Sequence, residues 1–326
     1  MDAVPYNFVE DVAMLAGCTC LWQLQNLADP LWESVGQLHY RKREYFSVYF
    51  RQTERGIEHL FGTADDFITP EYVKKNRRFV RLNYVFEDIL NDHDRRQWAN
   101  AVVLSEQETK KMLETVLCTR SQFSAKPSRQ FLGLHTTLFS LLRDNLRFTT
   151  LRLAYCGETA EVFLSYQIEH SKILKQVTLQ DDEWPNSVLA LIKRFCMYQR
   201  RQNHVNASFC RTKIEGLNIV EYIQDFIDFW TQNAHLKCSF GYAVDEQTRR
   251  SLTQEEINDH RSYTRVLKHP TERSIAYVWG GKANGLVVFY RCVCSNDRPQ
   301  SRECRTKCCY PALGINLREE DIEGEW

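Results

Sequence analysis

The chain has 326 residues, of which 43% are hydrophobic and 26% charged, with 42 basic and 42 acidic side chains and a formal net charge of zero. This composition is ordinary for a folded globular protein and excludes a disordered, collagenous or low-complexity chain. The balanced charge excludes a global basic field for nucleic acid, and no run reaches the roughly eighteen apolar residues of a membrane-spanning helix.

The first forty-odd residues predict short helices. Pro5 stands where a first helical turn begins, a position at which its missing N–H costs nothing. Phe8, Val12 and Leu15 follow at spacings of four and three, one face of a helix. Leu21, Leu24 and Leu27 form a second pattern, and Leu31, Trp32 and Val35 a third, with Pro30 interrupting the stretch before Trp32. A helical cluster of about forty residues is too small for a robust domain. It either docks on the rest of the chain or is completed by a partner. Asp2, Glu10 and Asp11 precede the first Lys or Arg, Arg41, which is the wrong charge for a signal peptide, so an intracellular protein is expected.

From residue 46 the period changes. Phe46, Val48 and Phe50 alternate as in a strand, and 79–82 and 101–104 are further short strands. Ser105-x-x-Glu108 is a capping box, and Met112, Leu113, Val116 and Leu117 give the next helix its buried face. Leu134, Leu138 and Leu141 mark another helix. From residue 150, strands at 151–153, 177–179, 207–209 and 238–240 recur about every thirty residues with helical patterns between them. Phe163 and Tyr166 lie in the first helix. Val188, Leu191, Ile192 and Phe195 define the second, and Val220, Ile223, Ile227 and Trp230 the third, capped by Asn218. Repeated strand–helix units fit a parallel α/β sheet or an irregular leucine-rich-repeat-like array, although L-x-x-L-x-L-x-x-N is missing. Thr253-x-x-Glu256 caps a short helix. Strands at 263–267, 274–279 and 286–290 then predict an antiparallel meander, with a Gly-rich hairpin between the last two.

The N-terminal pattern resembles an F-box, whose opening Leu-Pro-x-x-[Leu/Phe]-[Leu/Val]-x-x-[Ile/Val] is matched by Val4, Pro5, Phe8, Val9 and Val12. Its later Leu-x-x-Leu-x-x-Val and Trp are approximated by Leu21, Leu24, Leu27 and Trp32, one residue longer than usual. Val4 stands where the family has Leu. The opening Met-Asp-x-Val-Pro-Tyr-x-Phe is similar to that of a large nematode group of F-box-like proteins. The resemblance implies a non-catalytic substrate adaptor of a cullin-based ubiquitin ligase. Val4, Pro5, Phe8, Val9, Val12, Leu15, Leu24, Leu27 and Trp32 would meet a Skp-family adaptor, and the rest of the chain would bind an unknown protein target. The other reading is a standalone α/β interaction or scaffold protein whose N-terminal helices cap the fold.

Other constellations point to no chemistry. H-E-x-x-H, G-x-S-x-G and G-x-G-x-x-G are all missing. Cys196 and His204 are a weak nucleophile–base pair. Cys292, Cys294, Cys304, Cys308 and Cys309 lack the paired C-x2-C spacing of zinc sites. Cys118, Cys156, Cys196, Cys210 and Cys238 read as small core residues. Gly280-Gly281-Lys282 reads as a hairpin turn, not a phosphate loop. The Asn206-Ala-Ser208 sequon reads as chance. Lys74, Lys75, Arg77, Arg78 and Arg81 read as a solvated helix face in preference to a nucleic-acid site.

The expected architecture is α/β (or α+β): an F-box-like helical unit over 2–45, a repeat-like target-binding domain over 46–294 and a polar, Cys-containing tail over 295–326. No enzyme activity, cofactor, metal, membrane or nucleic acid is expected. Thr178, Ser208 and Ser239, on an edge of the repeated strands, are the expected target-binding residues.

Overall fold

A computed structural model describes residues 4–53, 56–63, 66–87, 98, 101–115, 121–125, 132–180, 183–198, 204–210, 212–214, 217–243, 263–271, 274–281 and 284–291. The chain divides into two compact units, Met1–Leu174 and Lys175–Trp326. The division falls inside the stretch read as one domain over 46–294. The N-terminal helices belong to the first unit.

That unit opens with α1 (Tyr6–Leu15), α2 (Cys18–Leu24) and α3 (Pro30–Lys42). Val9, Ala13, Leu21 and Val35 form their buried centre, with Ala16, Leu24, Leu31 and Trp32 half-buried around it. Pro30 does not interrupt a helix but starts one: it is the first residue of α3, and Asp29 accepts hydrogen bonds from the Leu31 and Trp32 N–H groups. Gly36 lets α3 approach α2 closely. A Cβ there would stand 2.7 Å from the Gln25 nitrogen and 2.9 Å from Leu24.

The sheet of this unit is built from β1 (Glu44–Thr53), β2 (Gly56–Gly62), β3 (Phe67–Ile68), β4 (Val80–Glu87), β5 (Val102–Leu104), β6 (Ser121–Ala125) and β7 (Phe148–Ala154). The order is β7-β6-β4-β1-β2, with β3 and β5 both on β2. The pairs from β7 to β1 are parallel, and those made by β2 are antiparallel. Helices α4 (Pro70–Lys75), α5 (Glu106–Thr115), α6 (Leu132–Asn145) and α7 (Glu158–His170) complete it. Phe46, Val48 and Phe50 are buried as their alternation predicts, and Leu82, Val85, Leu151 and Leu153 join them. The capping box closes reciprocally. Ser105 N–H donates to Glu108, and Glu108 N–H donates to the Ser105 hydroxyl.

In the second unit β8 (Gln176–Gln180), β10 (Val205–Cys210) and β12 (Cys238–Ala243) pair in parallel. The expected antiparallel meander follows as β13 (Tyr263–Lys268), β14 (Ser274–Gly280) and β15 (Asn284–Arg291), with β15 joined to β12. Two short strands, β9 (Glu183–Trp184) and β11 (Lys213–Ile214), form a separate pair. Helices α8 (Ser187–Tyr198) and α9 (Ile219–Gln232) connect the parallel strands.

Asn218 caps α9 as expected, accepting from the Val220 and Glu221 N–H groups. Its buried face differs from the one read from Val220, Ile223, Ile227 and Trp230. Ile219, Tyr222, Ile223, Phe226 and Trp230 are inside, while Val220 and Ile227 are half-buried. The aromatic rings decide this: Phe226 meets Phe240 at 4.8 Å and Phe289 at 6.1 Å, and Trp230 meets Phe289 at 6.0 Å. The Trp230 indole N–H donates to the buried Ser274 hydroxyl at 2.7 Å, tying α9 to β14. Gly281 N–H donates to the Asn284 carbonyl, so the Gly-rich segment is a hairpin turn.

Several expectations fall outside the described residues: the tail over 295–326, the five C-terminal cysteines, Cys118, the helix at 253–256, Val116, Leu117 and Lys282.

Candidate functional site

An α-helix with two apolar stripes can bury only one of them against a small neighbour. On α1 the buried stripe is Val9 and Ala13. The stripe read from the sequence, Phe8, Val12 and Leu15, is the outer one. Phe8 is 54% exposed and Leu15 68%, with Val12 half-buried. Val4 and Leu27 are also exposed, and Pro5 is exposed at the start of α1. Trp32 is half-buried and holds Phe8 edge-to-face at 6.2 Å. Leu24 is half-buried against the core. Val9 therefore cannot meet a partner: it is fully buried, and it supports the outer stripe from beneath. Sequence reasoning missed Trp22, 55% exposed on α2, and Tyr6, exposed on the first turn of α1. The three helices thus leave several large apolar side chains exposed.

The other side of α1 is fastened by polar bonds. Arg78 donates to both Glu10 oxygens at 2.6 and 2.9 Å and to the Tyr6 hydroxyl at 3.0 Å. His39, fully buried, lies 2.8 Å from Glu10 through Nε2 and 3.1 Å from Arg43 through Nδ1. A guanidinium can only donate, so Nδ1 accepts and the Nε2–H donates to Glu10. Burial raises the Glu10 carboxyl, but the hydrogen bonds from Arg78 and His39 outweigh it and hold the group at about 2, against an ordinary 4.5. Burial pushes the His39 imidazole below its ordinary 6.5 despite Glu10, and Arg43 and Arg78 add to that.

The last carbonyls of a helix need partners, and α1 has no basic residue in its own last turn. Arg43 donates to the Ala13 and Ala16 carbonyls at 2.7 and 2.8 Å, and Arg81 to the Met14 carbonyl at 3.1 Å. Arg81 also donates to the Arg77, Arg78 and Val80 carbonyls. It is fully buried, which corrects its reading as part of a solvated helix face. Its guanidinium makes enough hydrogen bonds to leave water.

The expected target-binding residues are side by side in the second unit. Ser208 pairs with Thr178, and Ser239 with Asn206. They alternate with Val177, Ala207 and Phe240, which are buried, so they point away from the face that α9 covers through Phe240. Thr178 and Ser239 are each only 7% exposed, and Ser239 shares a 3.0 Å hydrogen bond with His204. These two are buried strand residues in place of an open target surface, and Ser208 is half-buried. The same pairing puts the Asn206 sequon in a strand bonded on both sides.

Cys196 and Cys238 are buried as read, and burial, with Cys196 next to it, pushes the Cys238 thiol well up. Cys156 is half-buried. His204 thus pairs with Ser239 and not with Cys196. Among the described residues no group of three His, Cys, Asp or Glu side chains could hold a metal ion, and no helix is long and apolar enough to cross a membrane. Comparisons with protein-family models and with curated proteins give no match to this chain.

Proposed function

We propose that the chain is a non-catalytic substrate-recognition adaptor of a cullin-based ubiquitin ligase, acting inside the cell. In this reading residues 2–45 are an F-box-like unit that docks on a Skp-family adaptor, and the strand–helix succession after them is an LRR-like platform for an unidentified protein target. The observation that carries it is the exposed apolar stripe of Val4, Phe8 and Leu15, with Trp22 and Leu27 exposed on the same helical unit. Large apolar and aromatic anchors on a helix are the usual currency of helix-in-groove interfaces. Pro5, Val12, Leu24 and Trp32 complete the docking set, and Val9 drops out of it.

A second reading, a standalone interaction or scaffold protein with the helices as a cap, is favoured by the bonds from Arg43, Arg78 and Arg81 to α1. Co-expression of the full chain with a Skp-family adaptor, followed by size-exclusion chromatography, separates the two. Co-elution that is lost on replacing Pro5 and Phe8 with Ala is the outcome expected of an adaptor. A chain that elutes alone at every concentration makes the helices a cap.

A further inference from the structure

Two helix ends and a tight turn bring five exposed cations together in the first unit. Lys42 lies in the last turn of α3, and Lys74 and Lys75 in the last turn of α4. Arg77 and Arg78 occupy the turn that follows, closed by Phe79 N–H and Val80 N–H donating to the Asn76 carbonyl. All five side chains are exposed. Lys42 and Arg78 both stand over the Phe79 ring, at 5.6 and 5.0 Å from its centre, which fixes α3 beside the turn. Cations at helix C-termini are favourable in their own right. That accounts for Lys42, Lys74 and Lys75 but not for Arg77 and Arg78, which lie beyond α4. Three acids lie close to the cluster: Arg78 donates twice to Glu10, Glu44 accepts from the Tyr72 hydroxyl, and Glu71 lies in the first turn of α4, so the five cations outnumber them. In a chain of zero net charge, this is a local concentration of positive charge.

We propose that the end of α4 and the turn into β4 form a docking surface for an acidic polypeptide, centred on Lys74, Lys75 and Arg77 and flanked by Lys42 and Arg78. Charge complementarity argues for an anionic partner. The aromatics decide which kind. Single-stranded nucleic acid stacks its bases on open rings, but Phe79 carries Lys42, Arg78 and, at 5.2 Å, the His39 ring. Tyr72, 36% exposed with its hydroxyl held by Glu44 at 2.7 Å, is then a single ring, not the succession of faces on which successive bases stack. Carboxylates need only the cations, which project individually from a helix end and a turn. This surface is independent of the adaptor reading, because it uses none of the apolar stripe.

The test is fluorescence anisotropy with the full chain, using labelled poly-L-glutamate and a labelled oligothymidylate of equal charge number. One variant carries Lys74→Glu, Lys75→Glu and Arg77→Glu. A second carries Gln at the same three positions, so that the surface stays testable if charge reversal unfolds α4. Arg78 is left in place because it holds Glu10. The expected result is poly-L-glutamate binding that weakens about tenfold or more in the variants and falls steeply with added salt. Three results would overturn the proposal: no poly-L-glutamate binding by the unaltered chain, binding equal in the variants, or tighter binding of the oligothymidylate.

Discussion

Glu10 on α1 and Arg78 before β4 lie 68 positions apart in the chain and share two hydrogen bonds. The same carboxylate accepts from the buried His39, so one acid joins α1, α3 and the turn. Glu10→Gln would leave a buried imidazole and a guanidinium with a weaker neutral acceptor. The expected loss is about 1–2 kcal/mol of unfolding free energy, read from denaturant titration.

The histidines set the response to acid. His59 is buried between Phe50 and Thr109, and burial pushes it down to about 4. His39 is also lowered. For a group whose folded value lies below its unfolded 6.5, the unfolded chain binds the proton first. Stability therefore falls as pH drops below 6.5, and for His59 the loss is complete near pH 4. That is about 3 kcal/mol from His59. Glu10, depressed to about 2, adds a second loss between its ordinary 4.5 and 2, because its stabilising charge is neutralised there. Melting temperature against pH should show both steps, and His59→Gln should flatten the upper one.

The two stripes of α1 differ in what they do, and substitution can show it. Val9→Ala removes a fully buried side chain and should cost about 1–3 kcal/mol of stability. Phe8→Ala and Leu15→Ala remove exposed ones and should cost less than about 1 kcal/mol each. Thermal melts of the three variants check this. A large loss at Leu15 would mean that its side chain is covered within the chain itself.

Gly36→Ala tests the close approach of α2 and α3. The added methyl meets backbone at 2.7 Å, so the helices must separate. A loss of about 1–3 kcal/mol, with faster amide exchange in α2 than in α5, is expected.

In the second unit, Ser274→Ala takes away the partner of the Trp230 indole N–H. A buried donor left unpaired costs about 1–3 kcal/mol. Unfolding followed by Trp fluorescence should show that loss, and Trp230→Phe in the same background should recover part of it.

Much of the fold was legible because alternation and capping are local. Phe46 to Phe50, the strands at 177–179, 207–209 and 238–240, the Ser105–Glu108 box and the Asn218 cap needed only their neighbours. β2 was not legible. Its Ile57, Glu58, His59, Leu60 and Phe61 are all buried, so both faces are covered and no alternation survives. Arg81 read as surface because carbonyls hold its guanidinium inside, those of Arg77, Arg78 and Val80 and the Met14 carbonyl of α1, and no side-chain pattern signals them. The period of the apolar stripes on α1 was legible, but which of them turns inward was not. Phe8, Val12, Leu15 and Val9, Ala13 are both regular, and only the packing of Leu21 and Val35 decides which turns inward.

The way α1 ends bears on how the chain is made. Its final carbonyls are met by Arg43 and Arg81, up to 67 positions downstream. A chain growing from the ribosome presents the α1 residues long before Arg81 has left the exit tunnel. Helix α1 is therefore finished only after α2, α3, β1, β2, β3 and α4 have been made, and before the elements that follow β4. Until Arg81 arrives, Arg43 alone meets the end of α1, and the Met14 carbonyl waits for its partner.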